Sequence, residues 1–394
     1  MKLLIENAIT SEDYHLWILL MDMSKAFDTV RRLTLLEDLR HILKPEELHL
    51  CKLLIEDVQL SIRCGCETGE PFTTKQGIAQ GDCLSAIFFI LYLSKALGHK
   101  PHLQDHNYCN PEDITKPTPT HMEDHDYDIS ERKLNELYRR SMEISVQYAD
   151  DCGYAIVSET NQLMKYRAAT IPQQLKQRNL TCNETKNEDY HVTRKGTPDW
   201  KTCKYLGSLF DTEHDIKRRK ILTLEAMKTM EHTWKNKLSL KKKLRIFNAC
   251  VAPIFLSNSE LWTTTKSTNG QIDAFQRRLL RQVLNIRYPK KMSNEKLQEV
   301  TKQDKWSHYI ATQRLRWLGH VLRLPEDSPA KQALAEIERP VRKPRGSPKL
   351  KWITIVKQQL NILNISWEQA QEISQNRHRW RQVVLRWKVG QHAA

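Results

Sequence analysis

The hydrophobic pattern near the start of the chain is an unbroken run, Leu16-Trp17-Ile18-Leu19-Leu20-Met21, that stops at Asp22. Such a run predicts a buried central strand that delivers a carboxylate at its end. Val30, Leu33, Leu36 and Leu39 then recur at helical spacing, and Pro45 interrupts before a second helix over residues 46–58. Ser61-Ile62-Arg63-Cys64-Gly65, with the breakers Gly69 and Pro71, predicts a strand and turn within residues 59–75. Residues 84–97 are apolar nearly all round, the pattern of a buried helix. Ile144, Val146 and Tyr148 alternate ahead of Asp150-Asp151, and Tyr154-Ala155-Ile156-Val157 resumes apolar character. That predicts a hairpin with two aspartates at its tip. A helix near 160–178 and a strand at Tyr205-Leu206-Gly207-Ser208-Leu209 complete an α+β unit. From Asp215 onward the pattern is mostly helical, with amphipathic spacing near 215–240, 242–256, 270–286 and 295–323. No fixed-period repeat is visible.

Composition divides the chain in two. Of its 394 residues, 1–213 hold 25 Lys and Arg against 33 Asp and Glu, while 214–394 hold 37 against 14, so a net +15 conceals −8 followed by +23. An acidic first half followed by a strongly basic one suits a partner built of phosphates, although a solvated basic surface has the same composition. Residues 99–143 carry ten acidic residues and five of the fifteen histidines, which predicts a surface insertion. Arg339-Pro340-Val341-Arg342-Lys343-Pro344-Arg345-Gly346-Ser347-Pro348-Lys349 reads as a basic linker before a helical tail, and the run 340–351 also reads as a nuclear localisation signal. Nine cysteines without Cys-x-x-Cys spacing fit reduced thiols, and no stretch reaches membrane-spanning length. The opening residues are too short and too acidic for a signal peptide, so the expectation is a soluble protein of nucleus or cytoplasm with no membrane partner.

The chemistry centres on Asp22, Asp150 and Asp151. Phosphoryl transfer uses hard cations about 3.5–4 Å apart to stabilise attacking and leaving oxygens, and carboxylates on adjacent strands are natural holders. Clustered aspartates repel one another unless a cation neutralises them. Taken singly, each Asp equally reads as a helix cap or a turn. Between them lies Gln76-Gly77-Ile78-Ala79-Gln80-Gly81-Asp82-Cys83-Leu84-Ser85, where glycine beside an amide lets backbone approach a nucleotide and Asp82 can cap the next helix. His102, His106, His121 and His125, near Cys109, have zinc-like spacing but lie in a proline-bearing segment without helical periodicity, and no zinc site is assigned. In the basic half, Trp262, Trp306, Trp317, Trp352, Trp380 and Trp387 interleave with Arg and Lys, a pattern that suits stacking on single strands or hybrids, but most of them read as core anchors of small helical units. Lys241-Lys242-Lys243, Arg277-Arg278 and the cations from Arg342 to Lys351 are better candidates for nucleic-acid contact.

These motifs together resemble the palm of a reverse transcriptase of the non-LTR retrotransposon type, an RNA-directed DNA polymerase. Asp22…Ala26-Phe27-Asp28 resembles its first catalytic motif, and Gln80-Gly81-Asp82…Leu84-Ser85 its template and nucleotide-positioning motif. Tyr148-Ala149-Asp150-Asp151 resembles the metal-binding hairpin, Asn183-Glu184-Thr185-Lys186 the next motif, and Lys204-Tyr205-Leu206-Gly207-Ser208 the primer grip. Asp215-Ile216-Lys217-Arg218-Arg219 and Leu315-Arg316-Trp317-Leu318-Gly319-His320 resemble segments that follow the polymerase core, so the likeness runs from about residue 15 to 360.

The resemblance implies an α+β fold: a palm of antiparallel sheet and packed helices over 1–98 and 144–213, interrupted by the insertion at 99–143. A helical thumb-like region over 214–288 follows, then a basic helical C-terminal region over 289–394 with its linker near 339–349. It also implies that Asp22, Asp150 and Asp151 bind two divalent cations, Mg2+ (or Mn2+), and that Phe27 gates against a ribose 2′-hydroxyl. Gln80 and Gly81 would contact nucleotide and template, Tyr205, Leu206 and Gly207 would grip the primer, and Lys186 would protonate the leaving pyrophosphate or stand as a solvated surface lysine. Asp28 fits a helix cap better than a metal ligand. The implied partners are an RNA template, a DNA primer or RNA–DNA hybrid, and deoxynucleoside triphosphates, with oligomeric state open.

The sequence departs from the family pattern in places. Few residues precede the first motif, no endonuclease domain or zinc knuckle accompanies it, and Ala86 stands where the family often has proline. The expectation is therefore an N-terminally truncated or degenerate copy with its metal site intact and its polymerase activity weak or absent. A retroelement-derived nucleic-acid-binding protein without turnover is one alternative. An RNA-dependent RNA polymerase is the other, and Phe27 argues against it.

Overall fold

The apolar run ahead of Asp22 forms a strand, β1 (Leu16–Ser24), in which Leu16, Ile18, Leu19, Leu20, Met21 and Met23 are buried. The computed structural model describes residues 1–56, 58–98, 131–148, 151–339 and 349–390. Contacts divide the chain into two units, one of Trp17–Tyr190 and one of Met1–Leu16 together with His191–Ala394.

In the unit of Trp17–Tyr190, β1 leads into two helices, which follow the first short helix of the chain, α1 (Lys2–Thr10). These are α2 (Arg32–Arg40) and α3 (Pro45–Ile55). Two short antiparallel pairs come next, β2 (Gln59–Leu60) with β5 (Phe72–Thr73) and β3 (Arg63–Cys64) with β4 (Glu67–Thr68). Beyond them are α4 (Ser85–Ala96), α5 (Glu131–Arg140), β6 (Met142–Tyr148), β7 (Asp151–Val157), α6 (Gln162–Gln177), β8 (Thr181–Cys182) and β9 (Glu188–Val192). The main sheet runs β6-β7-β1-β8, with β9 also paired to β1. β6 and β7 are antiparallel in register from Met142 opposite Val157 to Tyr148 opposite Asp151. Leu19, Met21, Phe89, Tyr92, Tyr154 and Ile156 share one core. The fold is α+β, as the alternation of apolar runs predicts.

Two helices differ from their sequence patterns. In α4, Phe88, Phe89, Tyr92 and Leu93 are buried, but Ile87 is 53% and Ile90 56% exposed. α2 and α6 cover only one side of α4, so its all-round apolar character does not translate into all-round burial. In α2, Leu33 is exposed while Leu35 and Leu39 are buried, because the helix turns Arg32 inward instead.

The second unit is mostly helical. It begins with a hairpin of β10 (Lys204–Tyr205) and β11 (Ser208–Leu209) where the sequence pattern predicts one strand. Eleven α-helices follow among the described residues: α7 (Thr212–Thr229), α8 (Glu231–Lys235), α9 (Leu240–Ile246), α10 (Ala252–Leu256), α11 (Lys266–Val283), α12 (Asn294–Thr301), α13 (Trp306–Leu322), α14 (Pro329–Glu338), α15 (Trp352–Ile362), α16 (Trp367–Gln375) and α17 (Arg377–Gly390). Trp234, Phe247, Phe255, Trp262 and Trp306 anchor one apolar cluster. Leu315, Leu318, Trp352, Trp380 and Trp387 anchor another, which also takes in Leu3 of α1. Most tryptophans of the basic half are thus core residues, as expected, with Trp317 and Trp367 partly buried against the second cluster. Among the described residues no helix is long and apolar enough to cross a membrane.

Polar contacts seat α1 in this unit. Asn7 Nδ2 donates to the Glu336 carbonyl at 2.9 Å, and Lys351 Nζ donates to Asn7 Oδ1 at 2.8 Å. The Trp352 amide donates to Glu6 Oε2 at 2.7 Å, and the Thr263 hydroxyl donates to the other Glu6 oxygen. Burial pushes the Glu6 carboxyl up to about 7, against the opposing pull of these two hydrogen bonds and of Lys351 and Arg314.

Two predictions follow from this packing. A folded-state value raised from 4.5 to about 7 means that the stability Glu6 lends is full below about 4.5 and is lost as pH rises through about 7. The melting temperature of Glu6→Gln should therefore gain on that of the unsubstituted protein between pH 5 and pH 8, and parallel curves would refute the assignment. In α13, a Cβ on Gly319 would lie 2.0–2.5 Å from the Trp380 indole. That ring is buried and its N–H donates to the Leu315 carbonyl at 2.9 Å. Gly319→Ala should cost at least about 1–3 kcal/mol by overpacking, read as a lowered urea midpoint.

Candidate functional site

The carboxylates come to the main sheet from neighbouring strands. Asp22 lies two residues before the end of β1, and Asp151 opens β7, which is hydrogen-bonded to β1. Asp22 and Asp151 are both half-buried. Asp150, with Ala149, lies outside the described residues. Among the described residues no three His, Cys, Asp or Glu side chains gather as a metal cage. His102, His106, Cys109, His121 and His125 also lie outside them.

On its other side β1 pairs with β8, Met23 opposite Cys182. The Asn183 amide then donates to the Asp22 carbonyl at 2.8 Å, and a single helical turn over Glu184–Lys186 carries Lys186 back toward the strand. Lys186 Nζ donates to Asp22 Oδ2 at 2.9 Å. The lysine side chain is 63% exposed, so this ion pair contributes about 0–1 kcal/mol. Nearby, burial first, then the Glu184 and Asp22 carboxylates, push the Cys182 thiol up to about 11.

Phe27 and the Gln80-Gly81 segment are joined by the turn that follows β1. Phe27 is half-buried and stacks on Phe89 of α4, ring centroids 4.7 Å apart and planes 24° off parallel. The Ile78 amide donates to the Phe27 carbonyl and the Gly77 amide to the Val30 carbonyl, each at 2.9 Å. Gly77 has φ +85°, and a Cβ there would come within 3.0–3.3 Å of the Asp28 backbone. Only glycine allows the two segments to lie this close. Gln80 and Gly81 are exposed, and Asp82 accepts from the Leu84 amide at 3.0 Å, turning the chain into α4. Asp28 is exposed and α2 starts after Arg31, so Asp28 is not its cap.

One residue that the sequence did not single out organises this corner. Arg32 is 8% exposed. Its guanidinium donates to the Gly77 carbonyl (2.7 Å), the Thr74 carbonyl (2.5 Å), the Thr74 hydroxyl (2.6 Å) and the Gln76 carbonyl (3.2 Å). A planar, always charged group with a fixed fork of donors suits a cluster of carbonyls in this way. The only sequence signal was a charge at a position between Val30 and Leu35, both of which are buried.

The expected primer-gripping residues belong to the other unit. Tyr205 ends β10, and Leu206 (φ +46°) and Gly207 (φ +76°) form the two-residue turn to β11. Two positive φ values in succession give the hairpin turn that matches strand twist. Arg218 and Arg219 of α7 both donate to the Gly207 carbonyl, at 3.1 and 3.2 Å, and Arg219 also donates to Ser208 Oγ at 2.9 Å. Asp215, with no exposure, accepts from Arg219 Nε (3.1 Å), the Leu209 amide (3.1 Å) and Trp262 Nε1 (2.9 Å).

Residues 3–210, more than half of the chain, match the family described as reverse transcriptase (RNA-dependent DNA polymerase). Curated proteins give no match. Among solved structures, the chain is similar to apo telomerase of Candida tropicalis, with 13% identity, 92% of this chain and 52% of that one covered, and a TM-score of 0.38. The same telomerase in complex with a TWJ fragment of telomeric RNA gives 14% identity, 85% and 50% coverage and a TM-score of 0.36. Candida albicans telomerase in complex with a TWJ fragment gives 16%, 76%, 46% and 0.31. The chain spans about half the length of these structures, and likeness at this level carries neither substrate nor partner across.

The Arg32 clamp can be tested without any activity. Arg32→Ala should speed amide hydrogen exchange across residues 74–85 by about tenfold or more while leaving β6 and β7 protected, since several hydrogen bonds of about 1 kcal/mol each are lost. Unchanged exchange in residues 74–85 would show that the segment does not depend on Arg32.

Proposed function

The chain belongs to the reverse transcriptase family, and we propose that it is an RNA-directed DNA polymerase of the non-LTR retroelement type. Its substrates in this reading are an RNA template, a DNA primer or RNA–DNA hybrid, and deoxynucleoside triphosphates. The observation that carries the proposal is the meeting at one strand of three features: Asp22 on β1, Asp151 on the adjoining β7, and Lys186 in hydrogen-bond contact with Asp22.

The donor chemistry fits two Mg2+ (or Mn2+) ions. Carboxylate oxygens are hard ligands, and the lysine paired with Asp22 is largely exposed. Asp22 and Asp150 would hold the ions, with Asp151 assisting. Divalent cations held by these carboxylates would supply charge stabilisation for attack by the primer 3′-hydroxyl on the α-phosphorus. Lys186, displaced from Asp22, would give its proton to the leaving pyrophosphate oxygen as the α–β phosphoanhydride bond breaks. Phe27, backed by Phe89, would meet the sugar edge of the nucleotide and reject a 2′-hydroxyl by contact. Gln80 and Gly81, held up by the Arg32-anchored segment, would touch nucleotide and template. Tyr205, Leu206 and Gly207 would support the primer end, with the Gly207 carbonyl fixed from behind by Arg218 and Arg219.

Asp150→Ala should abolish magnesium-dependent primer extension on an RNA template and leave nucleic-acid affinity within about twofold, because binding rests on phosphate contacts with the basic half. Extension that survives the substitution would overturn the assignment. Salt-sensitive binding with no extension by the unsubstituted protein would select a nucleic-acid-binding protein without turnover.

A further inference from the structure

The segment between α11 and α12 is a rigid loop that carries an uncovered aromatic ring. α11 closes with Asn285 in the left-handed region (φ +53°). Its last carbonyls are satisfied by the Asn285 amide on Gln282 and the Ile286 amide on Arg281, each at 2.9 Å. Arg281 then reaches across the loop to the Met292 carbonyl (3.1 Å) and Asn294 Oδ1 (2.8 Å). The Lys290 amide donates to the Arg287 carbonyl at 2.9 Å and tightens the tip.

Tyr288 stands on this tip at 90% exposure, more than any other large apolar or aromatic side chain among the described residues. Arg287, Lys290 and Lys291 beside it are all exposed. Arg287 meets Glu231 at 3.3 Å, but Glu231 is already held by Lys235 at 2.8 Å. Among the described residues Lys290 and Lys291 have no ion pair. The tip therefore combines an open π-face with positive charge that its surroundings do not neutralise.

We propose that this loop is a binding site for an unpaired polynucleotide strand, with a base stacked on Tyr288 and its flanking phosphates on Arg287, Lys290 and Lys291. A duplex hides its base faces and can offer only phosphates, whereas a single strand offers both. An acidic peptide matches the charge but has no base to lay on the ring. The site rests on the nucleic-acid reading above and extends it to a strand and a residue outside the palm motifs.

The test is equilibrium binding by the full chain carrying Asp150→Ala, so that a failure to polymerise leaves the measurement intact. Probes are labelled oligo(U) and oligo(dT) of about 12 nucleotides and a blunt duplex of similar length. Tyr288→Ala should weaken single-strand binding by about five- to fiftyfold, Tyr288→Phe should retain it, and duplex binding should stay unchanged in both. Equal loss on oligo(U) and oligo(dT) marks recognition of base and phosphate alone, and loss on one only is assigned to sugar or to the thymine methyl by repeating it with oligo(dU). 4-Thiouridine placed in the oligonucleotide should photo-crosslink to Tyr288. The proposal is overturned if Tyr288→Ala binds single strands like the unsubstituted loop, or if duplex affinity falls in parallel. Phe as damaging as Ala, or displacement of the strand by polyglutamate at matched charge, would overturn it as well. Because Tyr288 touches so little of the protein, all variants should keep their melting temperature.

Discussion

A carboxylate with no solvent exposure persists in a fold only when donors saturate it, and Asp215 is that carboxylate here. It fastens the β10–β11 hairpin through the Leu209 amide, α7 through Arg219, and the aromatic cluster through Trp262. Lys2 of α1 lies 3.8 Å from it, so the first residues of the chain answer to the same charge. Arg219 uses its remaining donors on Gly207, Ser208 and the Ile254 carbonyl. Removing the carboxylate would strand a buried guanidinium and an indole N–H, a loss of about 3–5 kcal/mol. The helical unit is organised around one charge placed where apolar packing alone would exclude it.

The sheet unit applies the same physics with the sign reversed. There a buried guanidinium, Arg32, gathers carbonyls from residues 74–77, while the acidic groups, Asp22 and Asp151, are left part-open toward solvent. Charge buried and saturated makes framework. Charge left accessible, with an exposed lysine as its partner, is available to a cation or a phosphate. This contrast in solvation separates the scaffold residues from the candidate chemical ones more clearly than residue type does, since both sets are Asp, Arg and Lys.

Aromatic residues divide in a similar way. Phe255, Trp262, Phe275 and Trp306 stack or tilt against one another inside the helical unit, and Trp380 fills the space that Gly319 leaves open. Tyr288 alone among the tyrosines of that unit is almost wholly exposed, on a loop whose backbone is pinned at both ends. Phe27 lies between these extremes, one face on Phe89 and the rest open.

What the sequence by itself determined is what short-range pattern can encode. The continuous apolar run of β1, the alternation in β6 and the spacing of α6, α7, α11 and α13 follow from side-chain period, which is local. So does the order of the motifs along the chain. What only the tertiary structure decided depends on groups distant in sequence. The partners of Arg32 lie more than forty residues away, Lys186 meets Asp22 across |i−j| of 164, and α1 packs with helices near the opposite end of the chain. The exposure of Ile87 and Leu33 belongs here too, because a helix's own period says which residues share a face but not which face another element covers. Period is written in neighbours. Saturation of a buried charge is written in whatever the fold brings to it.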